Sequence, residues 1–125
     1  MGAVKARPWL KLTPHFIEGE LACRCCGRLL VQTELLQKLE YLRCLAGAPV
    51  LVNSGYRCPV HIGAVGGATN SYHLKGMAAD IRVPGLAVES LAALAEQAGF
   101  DNIGLYQQHG FIHVDVRGYR ARWDG

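Results

Sequence analysis

At 125 residues, with 50% hydrophobic and 18% charged positions, the chain has the length for one compact domain and too little for two ordinary ones. The charged share is below the roughly 25% of an average globular domain, and the absence of any apolar run of about 18 residues excludes a membrane-spanning helix. Thirteen Lys and Arg against ten Asp and Glu leave a formal charge of +3, too few positive charges for strong non-specific nucleic-acid binding.

Residues 1–12 carry Lys5, Arg7 and Lys11 but no uninterrupted apolar stretch and no small-residue cleavage site. They are expected as a flexible N-terminal segment of a single domain spanning 1–125, and not as a secretory leader. The protein is then expected to be made in the cytoplasm, unless a leader has been trimmed. Thr33 to Ala46 places Leu35, Leu36, Leu39, Leu42, Cys44 and Leu45 at the three-and-four spacing of an amphipathic helix, with Thr33 as N-cap and Gly47 as stop. Pro49 to Val52 is a short β-branched run that meets Asn53-Ser54-Gly55, which predicts a strand running into a turn.

A Gly-rich polar loop follows. Ala78 to Val83 reads as a strand closed by Pro84-Gly85, and Val88 to Ala98 as a helix ended by Gly99. Asn102 to Tyr106 and Phe111 to Val116 are two further strands, joined by the turn Gln107-Gln108-His109-Gly110. Alternation along the last strand puts Ile112, Val114 and Val116 on one face and His113, Asp115 and Arg117 on the other. The pattern predicts an α+β fold, a small antiparallel sheet with helices packed on one side. Beyond it, Arg117, Arg120 and Arg122 form the densest basic stretch, read as a solvated tail in preference to a contact for an anionic polymer.

His73 and Asp80, with His113 on the polar face of a strand, form a chemically suitable set for Zn²⁺. Three protein ligands leave a zinc site open to water, as catalytic sites require. Gly76, Ala78 and Ala79 would let a loop turn and pack beside such a metal. From the residues alone, histidines that serve the core or the surface are an equally good account.

Four ordered motifs carry a resemblance: Ser54-Gly55-Tyr56-Arg57-Cys58-Pro59, Val65-Gly66-Gly67-Ala68, Ser71-Tyr72-His73 through Gly76 to Asp80, and Phe111-Ile112-His113-Val114-Asp115. Together they resemble the zinc D-alanyl-D-alanine carboxypeptidase family, whose relatives include D-Ala-D-Ala dipeptidases, phage L-alanyl-D-glutamate endolysins and murein endopeptidases, with the Hedgehog signalling domain as a fold relative. The likeness runs from His15 to Arg117. It implies zinc as cofactor, with His73, Asp80 and His113 as ligands and Arg57 stabilising the oxyanion of the tetrahedral intermediate, a task that suits a bidentate guanidinium. Without the motif, Arg57 would read as a structural ion-pair partner.

The general base departs from the best-known pattern. Some relatives carry an acid three residues before the last His ligand, where this chain has Gly110. Asp115 is the substitute, either as base, the reading given slight preference, or as an acceptor that orients an imidazole. His109 is a weaker candidate, and a shifted alignment would send Asp115 to the metal and His113 to the chemistry. Ser71 and Tyr72 are candidates for substrate contact, and Tyr106 and Phe111 for cleft walls. His15 and His61 are read as ordinary structural or exposed residues.

Five cysteines cannot pair completely within one chain, which favours a reducing place of synthesis. Cys23 and Cys26 satisfy C-x-x-C, but small buried hydrophobes are the preferred reading over a metal or redox role. Cys58 would be a disulfide partner for that cluster outside the cell. The expected activity is zinc-dependent hydrolysis of an amide bond in the peptide stem of peptidoglycan, D-Ala-D-Ala carboxypeptidase-like, by a monomer that acts on the cell wall without nucleic acid or a membrane span. The alternative is a non-catalytic zinc-containing domain of the same fold that binds the cell wall or a protein.

Overall fold

The alternation read in the last strand organises the structure. A computed structural model describes residues 2–59 and 71–125. His61 and the Val65-Gly66-Gly67-Ala68 motif lie outside the described residues. Along the chain come β1 (Val4–Lys5), β2 (Lys11–Thr13), β3 (Phe16–Ile17), α1 (Glu18–Leu21), β4 (Arg28–Leu29), α2 (Thr33–Ala46), β5 (Leu51–Ser54), β6 (Ala78–Arg82), α3 (Val88–Ala98), β7 (Asn102–Tyr106), a single 3₁₀ turn (Gln107–His109), β8 (Phe111–Asp115) and β9 (Ala121–Asp124).

The main sheet has the order β5-β6-β8-β7-β9. Its first four strands pair antiparallel, and β9 lies parallel to β7. The expected all-antiparallel sheet is therefore corrected to a mixed one. Ala79, Ile81, Ile103, Ile112 and Val114 join Leu35, Leu39 and Leu42 of α2 and Leu91, Ala95 and Ala98 of α3 in one buried core. The other face of β6 and β8 carries Asp80, His113 and Asp115. Burying apolar side chains against the helices thus leaves the polar ones on the opposite side of the same strands.

The helices end as their sequences predict. Gly47 and Gly99 cap α2 and α3 in the left-handed conformation, with φ of 62° and 90°. At the start of α2 the N-cap is Gln32, and Thr33 is already the first helical residue, a correction of one position. β5 extends through Asn53 and Ser54, which had the look of a turn, because Ser54 pairs with Asp80 across a register shift. Residues 4–5 pair with 28–29 and 11–13 with 16–17 in two short ladders, and the backbone N–H and guanidinium of Arg7 both donate to the buried Glu18 carboxylate. No helix among the described residues is long and apolar enough to cross a membrane.

The C-terminal arginines are not a solvated tail. Ala121–Asp124 is a sheet strand, Arg120 and Arg122 both pair with Glu96 of α3, and Arg122 also donates to the carbonyls of Asp101 and Ala121 at 2.7 Å. The Arg122 guanidinium, with Arg120 beside it, draws the Glu96 carboxyl from 4.5 down to about 2. A lowered carboxyl stabilises the fold above its unfolded value and loses that contribution as pH falls toward the folded value. The Glu96 side chain is 40% exposed, so solvent screening limits the effect. Glu96→Gln is expected to cost about 0.5–1 kcal/mol in denaturant titrations near neutral pH. The gap to wild type should close as pH falls from 4.5 toward 2.

Candidate metal centre and cleft

Register across the sheet builds the site. Ser54 pairs with Asp80, Asp80 with His113, His113 with Gly104, and Gly104 with Trp123, so one row of residues crosses all five strands. Asp80 and His113 are consequently neighbours on one face, with Asp80 Oδ1 3.1 Å from His113 Nδ1. His73 arrives from outside the sheet, on a turn spanning 72–76 whose N–H groups at Leu74, Lys75 and Gly76 bond back to Ser71, Tyr72 and His73. Gly76 has φ of 69°, and a Cβ there would lie 2.4 Å from the Leu30 carbonyl oxygen, so only glycine brings this turn against the chain. The turn delivers His73 Nε2 to within 3.2 Å of the same Asp80 oxygen.

The outer nitrogens of both imidazoles are already engaged. His73 Nδ1–H donates to the Gly55 carbonyl at 2.8 Å, and His113 Nε2–H donates to Asp115 Oδ2 at 2.7 Å. With those protons assigned, His73 Nε2, His113 Nδ1 and Asp80 Oδ1 all present lone pairs to one point. Such a convergence is repulsive unless a proton or a cation lies among the three atoms. All three residues are buried, and their donor atoms lie within 4.8 Å of one another. Burial pushes the Asp80 carboxyl up, but the hydrogen bonds of His113 and His73 outweigh it and hold it far below the ordinary carboxylate range. Burial lowers His113, and the Asp115 and Asp80 carboxylates more than reverse that.

Arg57 takes the other oxygen of Asp80, with Nη2 3.0 Å from Oδ2, while its Nε donates to Ser54 Oγ at 2.8 Å. The guanidinium is thereby fixed, and it lines the cleft above the histidines. Asp115 is fully buried and does not line the cleft. Its Oδ2 also accepts from Asn102 Nδ2 at 3.3 Å, its Oδ1 accepts the Arg117 N–H at 3.2 Å, and the Arg117 guanidinium bonds both oxygens. Burial raises the Asp115 carboxyl, but His113 and Arg117 bring it down to about 2.

Of the remaining candidates, Ser71, Tyr72, Tyr106 and Phe111 line a cleft of about 610 Å³. Ser71 Oγ accepts the His73 N–H at 3.2 Å, and Tyr72 Oη lies 3.2 Å from Tyr119 Oη. Tyr106 and Phe111 stack with centroids 4.7 Å apart on one wall. His109 is exposed on the 3₁₀ turn, with its ring 6.3 Å from that of Phe111, and does not line the cleft. His15 is exposed and pairs with Glu40.

Three cleft residues have no counterpart in the sequence reading of the site. Arg117 sits 4.2 Å from the Tyr72 ring centroid, Tyr119 completes that wall, and Trp123 lies 5.2 Å from the His113 ring. Alternation had placed Arg117 on the polar face of its strand, which was the available signal. Nothing local marks Trp123, whose position depends on the parallel pairing of β9 with β7.

The arrangement defines a candidate metal centre at the floor of an open, polar-walled cleft. A family model described as Peptidase M15 matches residues 14–115, and the chain belongs to that family. The chain is 36% identical over 91 residues to the peptidoglycan L,D-endopeptidase MepK of Escherichia coli, an alignment covering 66% of this chain and 49% of the relative. It is also 36% identical over 88 residues to the zinc D-Ala-D-Ala carboxypeptidase of Streptomyces albus G, covering 70% of this chain and 30% of the relative. The chain therefore spans about half or less of the length of the curated relatives it matches.

Trp123 depends on the missing side chain at Gly104, where a Cβ would meet Trp123 Cε2 at 2.4 Å. Gly104→Ala should lift the indole away from His113 and cost about 1–3 kcal/mol in thermal or denaturant unfolding. Tryptophan fluorescence reports the displacement, because the other tryptophan, Trp9, is 77% exposed and does not line the cleft. An unchanged spectrum and stability would contradict this account of the wall.

Proposed function

We propose that the chain is a zinc peptidase that hydrolyses an amide bond in the peptide stem of peptidoglycan, with His73, Asp80 and His113 as metal ligands. The observation that carries this reading is the convergence of three lone pairs, from two imidazoles and one carboxylate, on one buried point. Two nitrogens and one oxygen fit zinc, and three ligands leave a position open toward the cleft. The two relatives, one a peptidoglycan endopeptidase and the other a zinc carboxypeptidase, support the substrate class and the metal. The reading takes residues 1–125 as a single domain, acting as a monomer at the cell wall.

Zinc held there would supply a Lewis acid that polarises the scissile carbonyl and brings a water molecule toward ionisation near neutral pH. The protein's own groups have separate tasks. Gly55 fixes the His73 tautomer through its carbonyl, and Asp115 does the same for His113 through Nε2–H. Arg57 holds Asp80 Oδ2, so that Oδ1 remains for the metal, and offers its fixed positive charge to the oxyanion that forms when the carbonyl is attacked. Tyr72 and Tyr119 form the wall against which Ser71 and a peptide would lie.

This assignment changes the part given to Asp115. The slight preference for it as general base gives way to the alternative of an orienting acceptor, because both oxygens are occupied and the group is closed off from the cleft. The swap that would send Asp115 to the metal is disfavoured for the same reason.

His73→Ala should lose the cleft metal and reduce release of amines from purified muropeptides by at least about 100-fold. Mass analysis of the products identifies the bond cut, and a wild-type protein that binds zinc without releasing any fragment would favour a binding domain. Asp115→Asn should weaken zinc binding about 10–100-fold, with turnover largely recovered at high zinc. A variant with full metal content and no turnover would instead return proton transfer to Asp115.

A further inference from the structure

We propose that Cys23, Cys26 and Cys58 supply three thiolate ligands of a second zinc site, separate from the cleft and independent of the peptidase reading. Their sulfurs lie within 4.8 Å of one another, although Cys58 comes from a segment 35 residues after Cys23.

The backbone around the first two cysteines has the form of a metal knuckle. Cys23-Arg24-Cys25-Cys26-Gly27 turns back on itself, with the Gly27 N–H donating to the Cys23 carbonyl at 2.9 Å and the Cys23 N–H to the Arg28 carbonyl at 2.7 Å. Gly27 follows the second cysteine with φ of 70°, where a side chain would be strained. The amides aim at sulfur. Cys25 N–H and Cys58 N–H each donate to Cys23 Sγ at 3.4 Å. Cys23 thus accepts from the amide two residues further on, as the turn sets it, and from the segment that carries Cys58. Amide donors stabilise charge on thiolates, whereas the sulfurs of a disulfide carry none.

The third cysteine is brought in by backbone contact. Tyr56 N–H donates to the Leu21 carbonyl at 2.9 Å, and Gly55 has no side chain where a Cβ would lie 2.6 Å from that oxygen. The segment so anchored carries the Gly55 carbonyl that fixes His73 and the Arg57 guanidinium that holds Asp80. A zinc ion among the three thiolates would clamp this segment to the chain around residue 23 and support the cleft from behind. Small buried hydrophobes, the reading preferred from sequence, describe Cys23 and Cys58 but not the exposed Cys26.

The test uses the whole chain, purified under reducing conditions with zinc and then reloaded with cobalt(II). Wild type and His73→Ala should both show thiolate-to-cobalt charge-transfer absorption in the near ultraviolet, and Cys26→Ser should lose it. Each variant should hold about one equivalent of zinc less than wild type. Should Cys26→Ser fail to fold, the His73→Ala spectrum decides alone, since only the thiol site remains in it. Absence of the band from reduced His73→Ala, its survival in Cys26→Ser, or a disulfide within the trio in thiol titration of the unfolded wild type would overturn the proposal. Failure of the cleft reading has a different signature, in which His73→Ala keeps the zinc content of wild type.

Discussion

The contact between Asp80 and His113 across β6 and β8 is the constraint on which the rest of the cleft depends. It follows from strand register. A slip of one residue in either strand would turn the carboxylate or the imidazole into the core and bring Ile81 or Val114 to the surface. The apolar packing that stabilises the sheet against α2 and α3 therefore also holds the two polar groups together. Burial of Ile81, Ile112 and Val114, each nearly inaccessible, makes the correct register far more favourable than its neighbours.

Around that pair the polar groups are arranged in series. Asp80 engages His73 and His113 with one oxygen and Arg57 with the other, and Asp115 joins His113 to Arg117 and Asn102. A buried carboxylate with a missing partner would be costly, and Asp80 and Asp115 each have several. Arg117 extends the network outward by stacking on Tyr72, so buried Asp115 is connected to the cleft wall through that guanidinium, as Asp80 is through Arg57.

What was legible in the sequence was governed by local pattern. The limits of α2, α3 and β7 could be read because three-and-four spacing, terminal glycines and alternation are properties of contiguous residues. The polar face of β8 was legible for the same reason, and with it the company of His113 and Asp115. β9 was not, since Ala121 to Asp124 is only four residues long and owes its place to parallel pairing with a strand fifteen or more residues earlier. The arginines beside it looked like a solvated tail because their partner, Glu96, lies on a distant helix. The role of Asp115 depended on which way its oxygens are taken up, and that is decided by Arg117 and Asn102 in three dimensions. The grouping of Cys58 with Cys23 and Cys26 depended likewise on the close passage of Gly55 over Leu21.

Two of the three candidate ligands sit on adjacent hydrogen-bonded strands, and the third on a turn outside the sheet. Asp80 and His113 are thus held at a high effective concentration for each other before any ion arrives, and their ordering entropy is met by the folding of the sheet. Only the turn bearing His73 has its placement left to couple to occupancy. Were a metal held there, its affinity would depend in part on how firmly that turn is seated, and changes at Leu30, whose carbonyl packs under Gly76, would tune it from a position that never touches the ion.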